Sequence, residues 1–154
     1  MFRSVLIAID GTPRSLGILD TVKRFCDPEQ HLLHVLLAVD SAYALEEFDQ
    51  RLSSFDQTEY PAAAQEQLHA DKIVQEAIKA FEQLGFSTTG SQEVGEPAEV
   101  IIKLAKARNI DLVVMGHRHL SRLKRVLDPS IASRVIDEAG CPVLVDARHQ
   151  LPRH

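Results

Sequence analysis

Basic side chains are concentrated in one short stretch of this chain, and their type suits the binding of an anion. The cations of this basic loop are Arg118, Arg122, Lys124 and Arg125. The loop follows Gly116 and precedes Asp128-Pro129-Ser130, in which Asp128 fits a helix N-cap and Pro129 the first helical position. A strand, a glycine, a loop and a helix N-terminus form the arrangement with which many α/β proteins hold a phosphate.

A second candidate for ligand contact is Asp10-Gly11-Thr12, directly after the apolar run Ser4–Ile9. In a parallel sheet this segment and Gly116 both follow the carboxyl ends of strands, where ligands bind if the strand order reverses there. Asp10 could contact a ligand or act as a base. The alternative is a turn residue that only closes the first strand.

Other chemistry finds little support in the residue pattern. His117 and His119 could hold zinc or a transition metal, but only Asp128 is a conceivable third ligand, and solvated loop histidines are the favoured interpretation. No nucleophile–base pair and no paired-carboxylate site can be recognised. We therefore predict no metal site, no catalytic residues and no enzymatic activity.

Length and composition narrow the class of protein. A chain of 154 residues, 45% hydrophobic and 25% charged, is typical of one globular domain. The net charge of -5 argues against general nucleic-acid binding. No apolar run approaches the roughly 20 residues of a membrane span, and the N-terminal run is too short for a signal peptide. The predictions are no nucleic-acid partner, no membrane partner and a cytoplasmic location, with Cys26 and Cys141 as small buried side chains.

The elements that must position these residues alternate regularly along the chain. Strands are predicted at Ser4–Ile9, His31–Val39, Phe86–Val94, Leu112–Met115 and Pro142–Val145. Helices are predicted from Thr12-Pro13 to Cys26, from Pro61 to Gly85, from Glu96-Pro97 to Asn109 and from Asp128-Pro129 to Gly140. The last helix is predicted to turn Ile131, Val135 and Ile136 inward. This alternation predicts a parallel sheet with helices on both faces, and the glycine inside the third strand suggests a place near an edge.

One connection does not follow the alternation. The segment Asp40–Tyr60 is acidic, and its interpretation stays open between a mobile connection, a lid over the crevice and a short helix near Ala44–Leu52.

Four segments together resemble the universal stress protein (UspA-like) family. They are VLIAIDGTPRS at 5–15, LLHVLLAVD at 32–40, VGEPAEVIIKLAKARNIDLVVMG at 94–116 and PSIASRVIDEAGCPVLV at 129–145. The resemblance implies a doubly wound (Rossmann-like) five-stranded α/β fold in one domain, residues 1–146, followed by a polar tail, 147–154. It also implies a stress-response role, protein partners that the sequence does not identify, and a homodimer that often forms through the last strand, here Pro142–Val145.

The resemblance further implies an adenine nucleotide, since many members bind ATP or AMP through Gly-x2-Gly-x9-Gly-(Ser/Thr). Carried over by position, the motif falls on Gly116, His119, Pro129 and Ser130, so that two of three glycines are replaced. Further family contacts fall on Asp10, Val35, Met115 and Ile131. With the neighbouring loop residues, the predicted ligand contacts are Asp10, Gly11, Thr12, Val35, Met115, Gly116, Arg118, His119, Arg122, Ser130 and Ile131.

The two replacements weaken the phosphate half of this predicted site. A side chain at His119 costs about 1–2 kcal/mol if the position is left-handed. Pro129 has no N–H, and one lost charge-assisted hydrogen bond costs about 1.5–3 kcal/mol. Together they predict phosphate binding weaker by roughly two to three orders of magnitude. Asp128 adds a negative charge at the same helix end.

Three functional hypotheses follow. The leading one is a non-enzymatic regulatory dimer with a small-ligand crevice, for which ATP or AMP is possible and no cofactor is required. The alternative is an ATP/AMP-binding switch in which Arg118, Arg122 and Lys124 replace the missing backbone donors, with at most slow hydrolysis. The third is a metal-responsive protein that uses His117 and His119.

Overall fold

A computed structural model describes residues 2–9, 16–39, 61–116 and 129–146 of the chain. The acidic segment, with its three open interpretations, the basic loop and the polar tail lie outside these residues.

The described residues form five strands and four helices that alternate along the chain. They are β1 Arg3–Ile9, α1 Leu16–Phe25, β2 His31–Val39, α2 Pro61–Gln83, β3 Ser87–Val94, α3 Pro97–Ala107, β4 Leu112–Gly116, α4 Pro129–Glu138 and β5 Val143–Asp146. The predicted strands and helices are therefore present, with bounds that differ by one or two residues where both ends are described.

All strand pairs are parallel, and the sheet order is β3-β2-β1-β4-β5. In chain order, β2 and β3 are added on one side of β1, and β4 and β5 are then added on its other side. This reversal makes the fold doubly wound, as predicted, and puts β3 at one edge.

Side chains from the two faces of the sheet form two separate cores. Successive residues of a strand point to opposite faces, so Val5 and Ile7 pack towards α1 and α2, whereas Leu6 and Ala8 pack towards α3 and α4. Val5, Leu6 and Ile7 have no exposed surface at all, which explains why β1 reads as a continuous apolar run.

The ends of the helices follow the predicted stop and start signals. Gly85 after α2, Asn109 after α3 and Gly140 after α4 adopt φ angles of 99°, 52° and 77°, the left-handed conformation that ends many helices. At the start of α3, the Glu96 side chain accepts a hydrogen bond from Ala98 N at 3.3 Å, and Pro97 takes the first helical position.

The prediction that Ile136 faces inward is wrong, because its side chain is 55% exposed. Helix α4 buries Ile131, Ala132, Val135 and Ala139 instead. At about 100° per residue, these four positions span a narrow stripe, and Ile136 lies beyond its edge.

Two smaller expectations also need correction. The last strand begins at Val143 and includes Asp146, whereas Pro142, which has no N–H to donate, only accepts a hydrogen bond from Val113 N at 3.0 Å. Cys26 and Cys141 are partly exposed and not fully buried, although burial raises the pKa of both thiols and so disfavours the reactive thiolate.

Candidate functional site

The carboxyl ends of β1 and β4 lie side by side at the point where the strand order reverses. Ala8 pairs with Met115, and the two strands end one residue later, at Ile9 and Gly116. From these ends the chain continues to opposite faces of the sheet, into α1 and α4. Such a switch point leaves a crevice in which open α/β sheets bind their ligands.

Helix α4 supplies an N-terminus that follows β4 in the chain. It begins at Pro129, with Ser130 in its first turn. Ile131 is 8% exposed and belongs to the same core as the fully buried Met115. Of the predicted ligand contacts, the structure therefore brings Met115 and Ile131 into one core, with Gly116 directly after Met115 in β4.

Val35 does not join this group. It pairs with Ile7 in the middle of β1 and is fully buried in the core towards α1 and α2, on the other face of the sheet from Met115. At the carboxyl end of β2 the partly exposed residue is Val39, whose carbonyl accepts a hydrogen bond from Gly95 N at 2.8 Å. Val39 is not among the predicted ligand contacts; the sequence marks it only as the last apolar residue of its run.

Asp146, the last residue of the domain predicted at 1–146, is not among the predicted ligand contacts. It pairs with Gly116 as the last residue of β5, and its Oδ2 accepts a hydrogen bond from Thr21 Oγ1 at 2.7 Å. Thr21 is 3% exposed on α1. A carboxylate is thus held at the same edge of the sheet as Gly116, and an acidic residue directly after an apolar strand was its signal, as it was for Asp10.

An ion-paired arginine links the two helices on one face of the sheet. Arg134 of α4 donates to Glu96 at 2.8 Å and to Glu138 at 3.4 Å. These groups are about 40–50% exposed, so solvent screens both pairs and each contributes little to stability. Since Glu96 also caps α3, this contact connects the start of α3 with the body of α4.

The remaining predicted contacts lie outside the described residues: Asp10, Gly11, Thr12, Arg118, His119 and Arg122. The histidine pair of the metal hypothesis lies outside them as well. Among the side chains that the structure describes, no group of three or more His, Cys, Asp or Glu could hold a metal ion. Within the same residues, no helix is both long and apolar enough to cross a membrane.

His34 lies away from the crevice, in the amino-terminal half of β2, and is 5% exposed. Its Nδ1 lies 2.7 Å from Thr89 Oγ1 and 3.3 Å from an Arg108 guanidinium nitrogen, and its Nε2 lies 2.9 Å from Ser91 Oγ. A guanidinium can only donate, so Nδ1 is the acceptor and Nε2–H donates to Ser91. Burial, followed by the charge of Arg108, lowers the pKa of His34 to about 4.

This lowered pKa predicts a loss of stability in mild acid. The unfolded chain takes up a proton near pH 6.5, whereas native His34 does so only at about pH 4. The free energy of unfolding therefore falls as the pH falls through this interval. We expect His34→Gln to flatten that dependence, as measured by urea unfolding across the interval. Parallel pH profiles for the two proteins would contradict the assignment of a neutral, buried His34.

Comparison with known proteins agrees with this architecture. The model of the universal stress protein family matches residues 1–146. Universal stress protein YxiE of Bacillus subtilis is 29% identical over 94% of this chain and 99% of its own length. The solved structure of MJ0577, a universal stress protein of Methanocaldococcus jannaschii, is 26% identical, covers 97% of this chain and 98% of that chain, and superposes with a TM-score of 0.71.

A further solved structure, the universal stress protein from Archaeoglobus fulgidus in complex with dAMP, shares the fold at 14% identity. Its TM-score is 0.62, over 94% of this chain and 97% of that chain. The doubly wound sheet with its switch point between β1 and β4, and the family match over residues 1–146, lead to one conclusion: this chain belongs to the universal stress protein family.

Proposed function

We propose that this chain is a non-enzymatic, cytoplasmic regulatory protein that works as a homodimer and takes an adenine nucleotide at the carboxyl ends of β1 and β4. The observation that carries the proposal is the switch point of the strand order, where Ile9 and Gly116 end neighbouring strands. The complex of the Archaeoglobus fulgidus protein with dAMP supports an adenine nucleotide as the ligand class.

The described residues suit the two halves of such a ligand differently. Met115 and Ile131 make the core next to the carboxyl end of β4 apolar, which suits the base of a nucleotide. Helix α4 offers the partial positive charge of its N-terminus to a phosphate. However, Pro129 occupies its first position and has no N–H, so the helix offers one backbone donor fewer than a glycine there would.

These features favour a nucleotide with few phosphates. The β- and γ-phosphates of ATP need backbone donors of the loop, and His119 and Pro129 replace two of the glycines that would permit a close approach. Asp146 adds a carboxylate beside Gly116, at the same edge of the sheet. AMP brings less negative charge to this edge than ATP does, and we propose AMP as the preferred ligand.

The homodimer is proposed to form through β5. Among the described strands, β5 lies at the edge of the sheet and pairs with β4 alone, and an edge strand can serve as a template for pairing with a second chain. Its side chains Val143, Leu144 and Val145 are apolar and only partly buried. The opposite edge strand, β3, carries Ser, Thr, Gln and Glu, which makes it the poorer template for a second chain.

The test combines calorimetry with light scattering. Titration with adenosine, AMP and ATP, with and without Mg²⁺, is expected to give one site per chain, with ATP binding no more tightly than AMP and nucleotides recovered unhydrolysed. Light scattering is expected to give twice the chain mass at micromolar concentration. No heat with any of the three ligands, or a monomer, would overturn the corresponding half of the proposal. A much tighter, salt-sensitive ATP complex would favour the switch that uses basic side chains.

A further inference from the structure

A cavity lies at the amino ends of the strands, opposite the carboxyl ends at which the nucleotide is proposed to bind. Its volume is about 390 Å³, and it opens at the amino ends of three parallel strands, β1, β2 and β3. This volume falls within the range in which proteins bind small molecules, about 300–1,000 Å³. Residues from β1, β2, β3, α2 and the end of α3 line it, so the fold itself builds the cavity.

The cavity combines an apolar floor with free hydroxyl groups. Val5, Leu33 and Ile110 are at most 7% exposed and line its base. Ser4 and Ser87 line it as well, and in the part of the chain that the structure describes their hydroxyls make no hydrogen bond. The apolar part of a ligand could therefore pack on the apolar side chains, and its polar part could form hydrogen bonds with the serine hydroxyls.

Arg108 supplies the positive charge of the cavity. One of its guanidinium nitrogens donates to His34 Nδ1 at 3.3 Å, which leaves its other N–H groups available. Across residues 2–9, 16–39, 61–116 and 129–146, no carboxylate forms an ion pair with Arg108. A guanidinium without an anionic partner, beside hydroxyls, suits a planar carboxylate that it can hold through two parallel hydrogen bonds.

The negative charge of Glu82 favours a singly charged ligand over a doubly charged one. It is the one carboxylate among the described residues that line the cavity, and His34 is neutral at pH 7. The lining therefore carries one positive and one negative charge. A phosphate dianion would bring the net charge of lining and ligand to −2. A monocarboxylate brings it only to −1, or to zero if it also carries an ammonium group, and so meets less repulsion from Glu82.

We propose that this cavity binds a small organic monocarboxylate, held by Arg108 through its carboxylate and by Ser4 and Ser87 through a polar substituent. The site is independent of the crevice, because it lies at the other ends of the strands and shares no residue with the predicted nucleotide contacts.

The test is an NMR titration of the full chain with 3-hydroxybutanoate as the probe. We expect saturable shifts of the Ser87 and Thr89 amides, with a Kd of about 1 mM or lower. The neutral 3-hydroxybutanamide matches the probe in shape and should give no saturable shift. Inorganic phosphate should bind more weakly than the carboxylate because of Glu82.

Three variants test whether the charged side chains of the cavity determine the affinity for 3-hydroxybutanoate. Arg108→Gln should weaken binding of 3-hydroxybutanoate by roughly 10- to 100-fold. Lys106→Gln is the matched control, since it removes one charge from the same helix without lining the cavity, and it should bind as the unmodified chain does. Glu82→Gln should tighten binding and narrow the difference between carboxylate and phosphate.

Equal binding of acid and amide would overturn the proposal, and so would phosphate binding more tightly than the carboxylate in the unmodified chain. Unchanged binding in Arg108→Gln, or the absence of any saturable shift, would do the same. The Glu82→Gln result tests the charge argument even if Arg108→Gln is poorly folded.

Discussion

The double substitution His119→Gly/Pro129→Gly is expected to raise the affinity for ATP by roughly 100- to 1,000-fold. The first change removes a side chain at a loop position where glycine permits close approach of the backbone to an anion. The second restores an N–H at the first position of α4. Calorimetric titration of ATP into both proteins measures the effect.

Two controls separate this effect from a general loosening of the loop. His117→Gly removes a neighbouring histidine that has no place in the glycine motif and should leave ATP affinity unchanged. Adenosine has no phosphate, so its affinity should be the same for all variants. An equal gain for adenosine, or no gain for ATP, would show that the missing glycines do not limit phosphate binding.

Replacing Phe81 by alanine is expected to lower the free energy of unfolding by about 3–5 kcal/mol. Phe81 is 2% exposed on α2 and packs in the core shared with α1, β1 and β2. Its removal leaves a cavity that the surrounding strands cannot fill, because β1 and β2 are held in register on both sides. Urea unfolding, with the slope compared between variants, measures the change.

The chain offers a matched control for this substitution. Phe25 ends α1 and is 64% exposed, so Phe25→Ala should change stability by no more than about 0.5 kcal/mol. A similar loss for both variants would mean that the core towards α1 and α2 is not packed as described.

The elements of this fold could be predicted because each carries a local signal. Gly85, Asn109 and Gly140 mark the helix ends, and continuous apolar runs mark strands that are buried on both faces. The strand order could not be derived in the same way, since the connections alone allow alternatives and only the family resemblance selects one.

Gly90 lies in an edge strand, as predicted, but the close packing of α2 is a second reason for a glycine at this position. Gly90 suggested an edge, and β3 is an edge strand. A Cβ at Gly90 would lie 2.7 Å from Val74 and 2.9 Å from Ile78, so α2 also approaches the strand too closely for a side chain. Such contact between distant segments has no local signature.

The site was predictable in part. The neighbouring ends of β1 and β4 follow from the strand order, so Gly116 and Asp10 were expected at one edge. The register of a strand determines the face of the sheet on which each side chain lies. A shift of one residue moves every side chain of the strand to the opposite face. Val35 therefore joins the core opposite Met115. The positions of Val39 and Asp146 at the same ends of the strands follow from pairing with other strands, which the sequence does not display.

The position of β1 at the centre of the sheet also bears on how the chain is made. On one side of β1, Arg3 pairs with His31. On its other side, Val5 pairs with Leu112, which is synthesised much later. During synthesis, β1 to β3 can assemble while the second edge of β1 is still bare, until residue 112 of 154 has left the ribosome. The ends of β1 and β4 can thus come together only late, and the nascent protein carries an apolar strand edge that chaperones can bind before a ligand of β1 and β4 can.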